Sequence, residues 1–384
     1  MYLNHTTILI LSPQSWGTMH VSKHHYALEL ARKGNEVYFL NPPSVPAEKG
    51  QPPVRIRPTS QEGLFLIDHR LWFPYNIKFH AIRFFHFLMK FHLRRVLKTI
   101  GKPIDIVWSF DLGNLYPFQS FSRARRIFHP VDEPHSNTAI RSAAGAEIIF
   151  SVTREILGKY RSFDVPAFFI NHGLAKEFVT NGNVQTKQAP PYQVGFSGNL
   201  IRNDIDRKVL LQIISQNRDI HFHFWGSYQL NQSNISGAND PETVSFIQQL
   251  KDNPNVTLHG PVASGQLAAA IQQMDAFLIC YDIRKDQSKG TNYHKVMEYL
   301  GTGKVIVSNN ITTYQDQPGL LEMAKSRDNN HELPDLFKKV MSNLALYNSV
   351  ENQQARISFA HNNQYSKQVE RIEEILVKTF GPGK

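Results

Sequence analysis

Cysteine is nearly missing: Cys280 is the only one in 384 residues. That excludes an internal disulfide and fits a reducing, cytoplasmic setting. No apolar run is long enough to cross a bilayer. The first apolar stretch, within Thr7 to Ser12, is short and lacks a basic start, so it reads as a core strand and not as a signal peptide. The seventeen histidines are scattered without metal-ligand spacing, and no metal is expected. The Gly-x-Gly-x-x-Gly dinucleotide fingerprint is also absent: Gly17 stands alone after the first strand. What the chain does have is an excess of cations. Its net charge of +10 implies an anionic partner, and 41% apolar residues suffice for two cores.

In chain order, Thr7 to Ser12 is a strand, Val21 to Lys33 a helix ended by Gly34, and Glu36 to Asn41 a strand. This strand–helix–strand opening predicts an α/β chain with parallel, doubly wound sheets. Pro42 to Pro58 is proline-rich and reads as a loop. Arg70 to Ile104 holds eight Lys or Arg and no acid. Its centre, 77–98, predicts one helix with Ile82, Phe85, Met89, Leu93 and Val96 on the core side. Arg83, Lys90, Arg94 and Lys98 form a basic stripe opposite, with Phe84, Phe87 and Phe91 beside it. A helix of that kind suits an anionic membrane surface, though the same residues fit a solvated face with Phe packed under a loop. Aromatic and basic residues do not alternate on strands as in RNA-binding sheets, so nucleic acid is not expected as a partner.

Strands are predicted at 104–110, 126–131, 147–152 and 167–170. Asp111, Asp132, Glu133 and His135 follow strand ends, where an open α/β sheet receives its ligands, and are acid–base candidates as well as loop or capping residues. The polar stretch 173–190 reads as a linker. A second α/β series starts at Tyr192, and Gly198, Gly226 and Gly260 close successive strands. Glycine at those ends would let a ligand approach the backbone.

The stretch from Lys289 to Asn309 reads as loop, helix, tight turn and buried strand. Thr291 and Asn292 are read as the cap of a helix over Tyr293–Leu300, whose free N–H groups would suit a phosphate. Lys289 adds a cation, and Glu298, two turns on, could accept from two ribose hydroxyls. An ordinary helix–strand unit with a solvent-facing Glu fits the same pattern.

The run from Lys295 to Ser308, KVMEYLGTGKVIVS, the glycine loop at Ser197-Gly198-Asn199, and Asn171-His172-Gly173 ahead of the linker together resemble the GT-B glycosyltransferases, most of all the retaining family 4 type of polysaccharide and cell-surface glycan biosynthesis. The resemblance covers most of the chain in layout. It implies two Rossmann-like domains facing a central cleft, at 1–172 and 191–357, with 358–384 crossing back to the first. Tyr365 stands where that segment usually has Trp. It also implies a UDP- or GDP-linked sugar as substrate, without a cofactor, and transfer to a glycan or lipid-linked acceptor. Glu298 would hold the ribose, Ser197, Gly198 and Asn199 the phosphates, and Pro261 and Val262 the base. Gly17, Gly226, Thr291, Asn292 and Tyr293 complete the donor set; Arg202 and Lys289 would neutralise the leaving diphosphate, and Asp132 would orient the acceptor. Where the family often has a Glu eight positions before the ribose Glu, this chain has Gly290. The alternatives are a sugar-nucleotide epimerase of the same shape and a non-catalytic basic protein that binds nucleotide or membrane. The expected location is cytoplasmic, on the inner membrane face.

Overall fold

The computed structural model describes residues 2–17, 20–43, 52–182, 184, 187, 189–229, 240–286 and 288–381. They divide into two compact units, 1–171 with 365–384, and 172–364.

The first unit is built on an eight-stranded sheet in the order β3-β4-β2-β1-β5-β6-β7-β8. Its strands are β1 (Thr7–Leu11), β2 (Glu36–Leu40), β3 (Val54–Pro58), β4 (Leu64–His69), β5 (Ile106–Ser109), β6 (Arg125–Phe128), β7 (Ile148–Ser151) and β8 (Ala167–Phe169). All pair in parallel except β3, which runs antiparallel to β4 at the edge. The run in β1, TILIL, is apolar throughout because both faces of a parallel strand are covered. Strand β3 corrects the expectation of a loop over Pro42 to Pro58, of which 44–51 lies outside the described residues, and β4 is a strand the sequence reading did not place. The sequence Val-Arg-Ile-Arg-Pro alternates and ends in proline, which suits a charged edge strand.

The helices of this unit are α1 (Ser22–Arg32), α2 (Ile77–His80), α3 (Ile82–Ile100), α4 (Asn137–Arg141) and α5 (Arg154–Gly158). The single helix expected over 77–98 is broken at Ala81, whose φ of −144° and ψ of 66° leave the helical region. Beyond the break, Phe85, Met89, Leu93 and Val96 are fully buried, as the spacing predicts. Gly101, at φ +73°, ends α3 in the left-handed conformation.

The second unit has a six-stranded parallel sheet, β11-β10-β9-β12-β13-β14. Its strands are β9 (Tyr192–Ser197), β10 (Ile220–Trp225), β11 (Val256–Gly260), β12 (Ala276–Ile279), β13 (Val305–Ser308) and β14 (Glu322–Met323). They alternate with α6 (Arg207–Gln216), α7 (Pro241–Asp252), α8 (Ser264–Ile271) and α9 (Lys295–Leu300), followed by α10 (Leu333–Ser342), α11 (Leu344–Tyr347) and α12 (Val350–Asn362). Asp206 and Asp240 cap α6 and α7 by accepting from the backbone N–H of the third residue of each helix, Val209 and Thr243. The stretch read as a linker belongs to this unit as far as it is described: Ser264 donates to Glu177 at 2.7 Å, and Thr180 to the Gly301 carbonyl at 3.1 Å. Residues 183, 185, 186 and 188 of it lie outside the described set.

The last helix, α13 (Tyr365–Phe380), belongs to the first unit. Val369, Ile372 and Leu376 are buried, Tyr365 donates or accepts with Ser22 at 3.0 Å, and Glu373 pairs with Lys33.

Candidate functional site

Strand order reverses between β9 and β12, because the chain leaves β9 toward β10 and later returns on its other side. The C-terminal ends of strands at such a switch point form the natural ligand crevice of a parallel sheet. Ser197, Gly198 and Asn199 follow β9 there, and the loop into α9 follows β12.

The side chain that organises this crevice is Lys295, which the sequence reading did not single out as a site residue. It is 5% exposed. Its ammonium donates to the Ser197 carbonyl and to the Tyr281 hydroxyl, the latter at 2.6 Å, and lies over the Phe196 and Tyr281 rings. Burial lowers its pKa to about 8 against the raising charge of Glu298. Glu298 stands three residues further on α9, on the same helix face. Its carboxylate is half-buried and makes no hydrogen bond or ion pair with any described residue. Burial pushes it up to about 7, with Lys295 opposing and Glu177 adding to the shift.

Several predicted roles change. Helix α9 begins at Lys295 with His294 as its N-cap, so Thr291 and Asn292 do not cap it and Tyr293 is not its first residue. The loop before it is instead held by Asp286, another residue not singled out. The Asp286 carboxylate accepts from Ser288 N–H at 3.0 Å, Gly290 N–H at 2.8 Å and Tyr293 Oη at 2.6 Å. Thr291 spends its hydroxyl on the Ser288 carbonyl at 2.8 Å, and Asn292 is buried. Gly290 has φ +63°, and a Cβ there would lie 2.8 Å from the Asn310 carbonyl oxygen, so the family's earlier Glu has no room.

Ser197 does not offer a free hydroxyl: its Oγ lies 2.8 Å from Tyr299 Oη, which also accepts from its N–H. Glycine at the strand ends serves loop against loop more than loop against ligand. A Cβ on Gly226, at φ +134°, would lie 2.0 Å from the Gly198 carbonyl oxygen. Gly198 N–H donates to the Trp225 carbonyl and Gly226 N–H to that of Gly260, at 2.8 and 2.9 Å. Asn199 accepts from Ile201 N–H at 3.1 Å.

Arg202 is not a free cation. Its Nε lies 2.9 and 3.0 Å from the two oxygens of Asp204, which hold the guanidinium pKa above its ordinary value. Asp204 and Asp206 have Asp-x-Asp spacing, yet Asp204 is committed to Arg202, and Asp206 caps α6 and accepts from Asn330 at 2.9 Å. Among the described residues no group of three or more His, Cys, Asp or Glu is placed to hold a metal ion. Lys289 is exposed, with φ +52°, and Pro261 and Val262 follow the end of β11 as expected.

In the first unit, Asp111 is buried and its oxygens accept from Gly113 and Leu115 N–H, each at 2.7 Å. Glu133 is buried against Lys159. That leaves Asp132, exposed after β6, as the carboxylate open to a ligand; His135 is exposed beside it. Gly17 follows β1 in this unit, with open space around its Cα.

No protein-family model matches the chain, and no curated protein matches its sequence. Solved structures do match. A sucrose-phosphate synthase from Thermosynechococcus elongatus superposes with a TM-score of 0.71 at 11% identity, over 98% of this chain and 99% of that one. A trehalose-6-phosphate synthase from E. coli, bound with UDP-2-fluoro glucose, gives 0.67 at 10%, over 97% and 99%. Anabaena HepE in complex with UDP and glucose gives 0.66 at 12%, again over 97% and 99%. At such identities the likeness shows the fold: two Rossmann-like units of the GT-B type.

Proposed function

We propose that this protein is a glycosyltransferase that moves a sugar from a nucleotide diphosphate, UDP- or GDP-linked, to a glycan or lipid-linked acceptor, with retention, as the family 4 resemblance implies. The observation that carries it is Glu298: a half-buried carboxylate with no hydrogen bond from the described protein, one helical turn from Lys295 at the switch point of the second sheet. Two vicinal ribose hydroxyls are the partners such a group lacks. The fold it shares with structures solved with UDP, UDP-glucose or UDP-2-fluoro glucose supports the same reading.

Transfer builds positive charge at the anomeric carbon and negative charge on the departing diphosphate. Fixed donors at the crevice stabilise the latter without reorganising. Lys295 supplies buried positive charge, Lys289 an exposed one, and Arg202 the N–H groups that Asp204 leaves over. The backbone at Pro261 and Val262 meets the base, and Asp132 orients the acceptor hydroxyl. The nucleotide sugar is a substrate, and the reading invokes no cofactor.

The test is a melting panel of UDP, GDP and their glucose conjugates. A nucleotide at 100 times its Kd raises stability by about 2.7 kcal/mol. Glu298→Ala should weaken that nucleotide at least about tenfold, as loss of charge-assisted hydrogen bonds does, and abolish slow donor hydrolysis. No shift with any member of the panel would overturn the reading. Sugar analysis with donor alone excludes epimerisation if the sugar is released unchanged.

Among the described residues no helix is long and apolar enough to cross a membrane. The reading places the protein on the inner membrane face through α3. Phe84, Phe87 and Phe91 are 53%, 56% and 44% exposed beside exposed Arg83, Lys90, Arg94 and Lys98. Apolar rings with cations are the pattern of an interfacial helix.

A further inference from the structure

The segment that leads into the second unit carries another carboxylate beside Glu298. Glu177 lies in the short 3-10 turn Lys176–Phe178, within that unit. The segment runs along α9: Thr180 donates to the Gly301 carbonyl, and a Cβ on Gly301 would lie 3.2 Å from the Phe178 carbonyl oxygen. Glu298 stands three residues before Gly301, on that same side of the helix. Ser264, the first residue of α8, donates to Glu177 Oε1 at 2.7 Å. Glu177 is thus held between α8, which starts just after Pro261 and Val262, and the Glu298 side of α9.

Its negative charge acts on Glu298, adding to the rise that burial causes. The other charged or titratable groups on these elements are Lys295, committed to Ser197 and Tyr281, exposed Lys176, and His294, whose ring lies 6.3 Å from that of His172. Among the described residues no third His, Cys, Asp or Glu joins the two carboxylates in a metal site. Two carboxylates repel each other, and both repel a diphosphate. A nucleotide offsets that repulsion only by offering each of them a donor, because an ionised carboxylate accepts and cannot donate. Glu298 has the ribose hydroxyls. For Glu177, on the side where the base is read to lie, the remaining donors are ring N–H groups. Uracil offers one at N3 and guanine one at N1, with an amine beside it. Cytosine and adenine present a lone pair at the matching ring nitrogen.

We propose that Glu177 selects the base: its carboxylate accepts from the ring N–H of uracil or guanine and so discriminates against cytosine and adenine nucleotides. The proposal rests on the nucleotide-sugar reading and adds a residue that sets the class of base.

The full chain and Glu177→Gln are compared by titration calorimetry with UDP, CDP, GDP and ADP. The wild type should bind UDP or GDP about tenfold or more tightly than its amino counterpart, CDP or ADP, as the loss of a charge-assisted hydrogen bond requires. In Glu177→Gln that ratio should fall to about threefold or less, since an amide can turn either a donor or an acceptor to the ring. The ratio is the readout because removing a negative charge strengthens every diphosphate alike. A wild type without preference, or a ratio that survives the substitution, would overturn the proposal. The second readout is pH. With the Glu177 charge gone, Glu298 should ionise more readily, and the rise in nucleotide affinity with pH should move to lower pH. A midpoint that stays in place would separate Glu177 from the ribose carboxylate and overturn the proposal as well. A wild type that binds none of the four nucleotides would instead defeat the parent reading.

Discussion

Glu298 gives the site a pH signature whose sign follows from its burial. Its folded pKa, about 7, lies above the ordinary value of 4.5. Between those values the folded state holds a proton that the unfolded state has released, so the unliganded protein loses stability as pH rises from about 4.5 to about 7. Nucleotide binding runs the other way, because only the carboxylate accepts from both ribose hydroxyls. Calorimetry across pH 6 to 8 should show UDP affinity rising with pH, and Glu298→Gln should flatten that part of the profile. Two glycines make a second residue-scale test. Gly226→Ala sets a Cβ 2.0 Å from the Gly198 carbonyl oxygen and should destabilise the second unit by about 2–4 kcal/mol in urea titration. Gly158→Ala, at the end of α5 with nothing within 4 Å, should stabilise by about 0.5 kcal/mol. Sequence alone read Gly226 as room for a ligand; the structure presses the Gly198 backbone against it and leaves Gly158 in open space.

At the scale of elements, α3 carries two faces with different consequences. Leu93 is fully buried, so Leu93→Ala should cost about 2–5 kcal/mol. Phe84, Phe87 and Phe91 are exposed, so replacing all three by Ser should leave stability within about 0.5 kcal/mol per site. In cosedimentation, vesicles rich in phosphatidylglycerol should retain the wild type and lose the triple variant, with little binding to phosphatidylcholine. Both faces were legible from periodicity, because a helix face is a property of consecutive residues. The break at Ala81 was not, since neither glycine nor proline marks it. Edge strand β3 was hidden for a related reason: its pairing with β4 fixes it, and Pro53 and Pro58 suggest a loop.

The whole molecule ties its last helix to its first unit. Truncation after Asn363 would remove α13, with buried Val369, Ile372 and Leu376 and the Glu373–Lys33 pair. Scanning calorimetry should show the first unit melting several degrees lower while the UDP shift of the second persists. The sequence by itself determined the α/β class, the restart at Tyr192, the strand ends at the switch points and the position of Glu298, because each is written in local spacing. Tertiary structure decided which groups are free to act. Lys295 reaches a carbonyl 98 residues away, Tyr299 takes up Ser197, and Asp286 holds the loop that a helix cap was expected to hold. The bonds of Lys295 and Tyr299 join residues about a hundred apart and leave no periodic trace, those of Asp286 depend on the turn its loop takes, and burial, which shifts the Glu298 and Lys295 pKa values, exists only after the chain has folded.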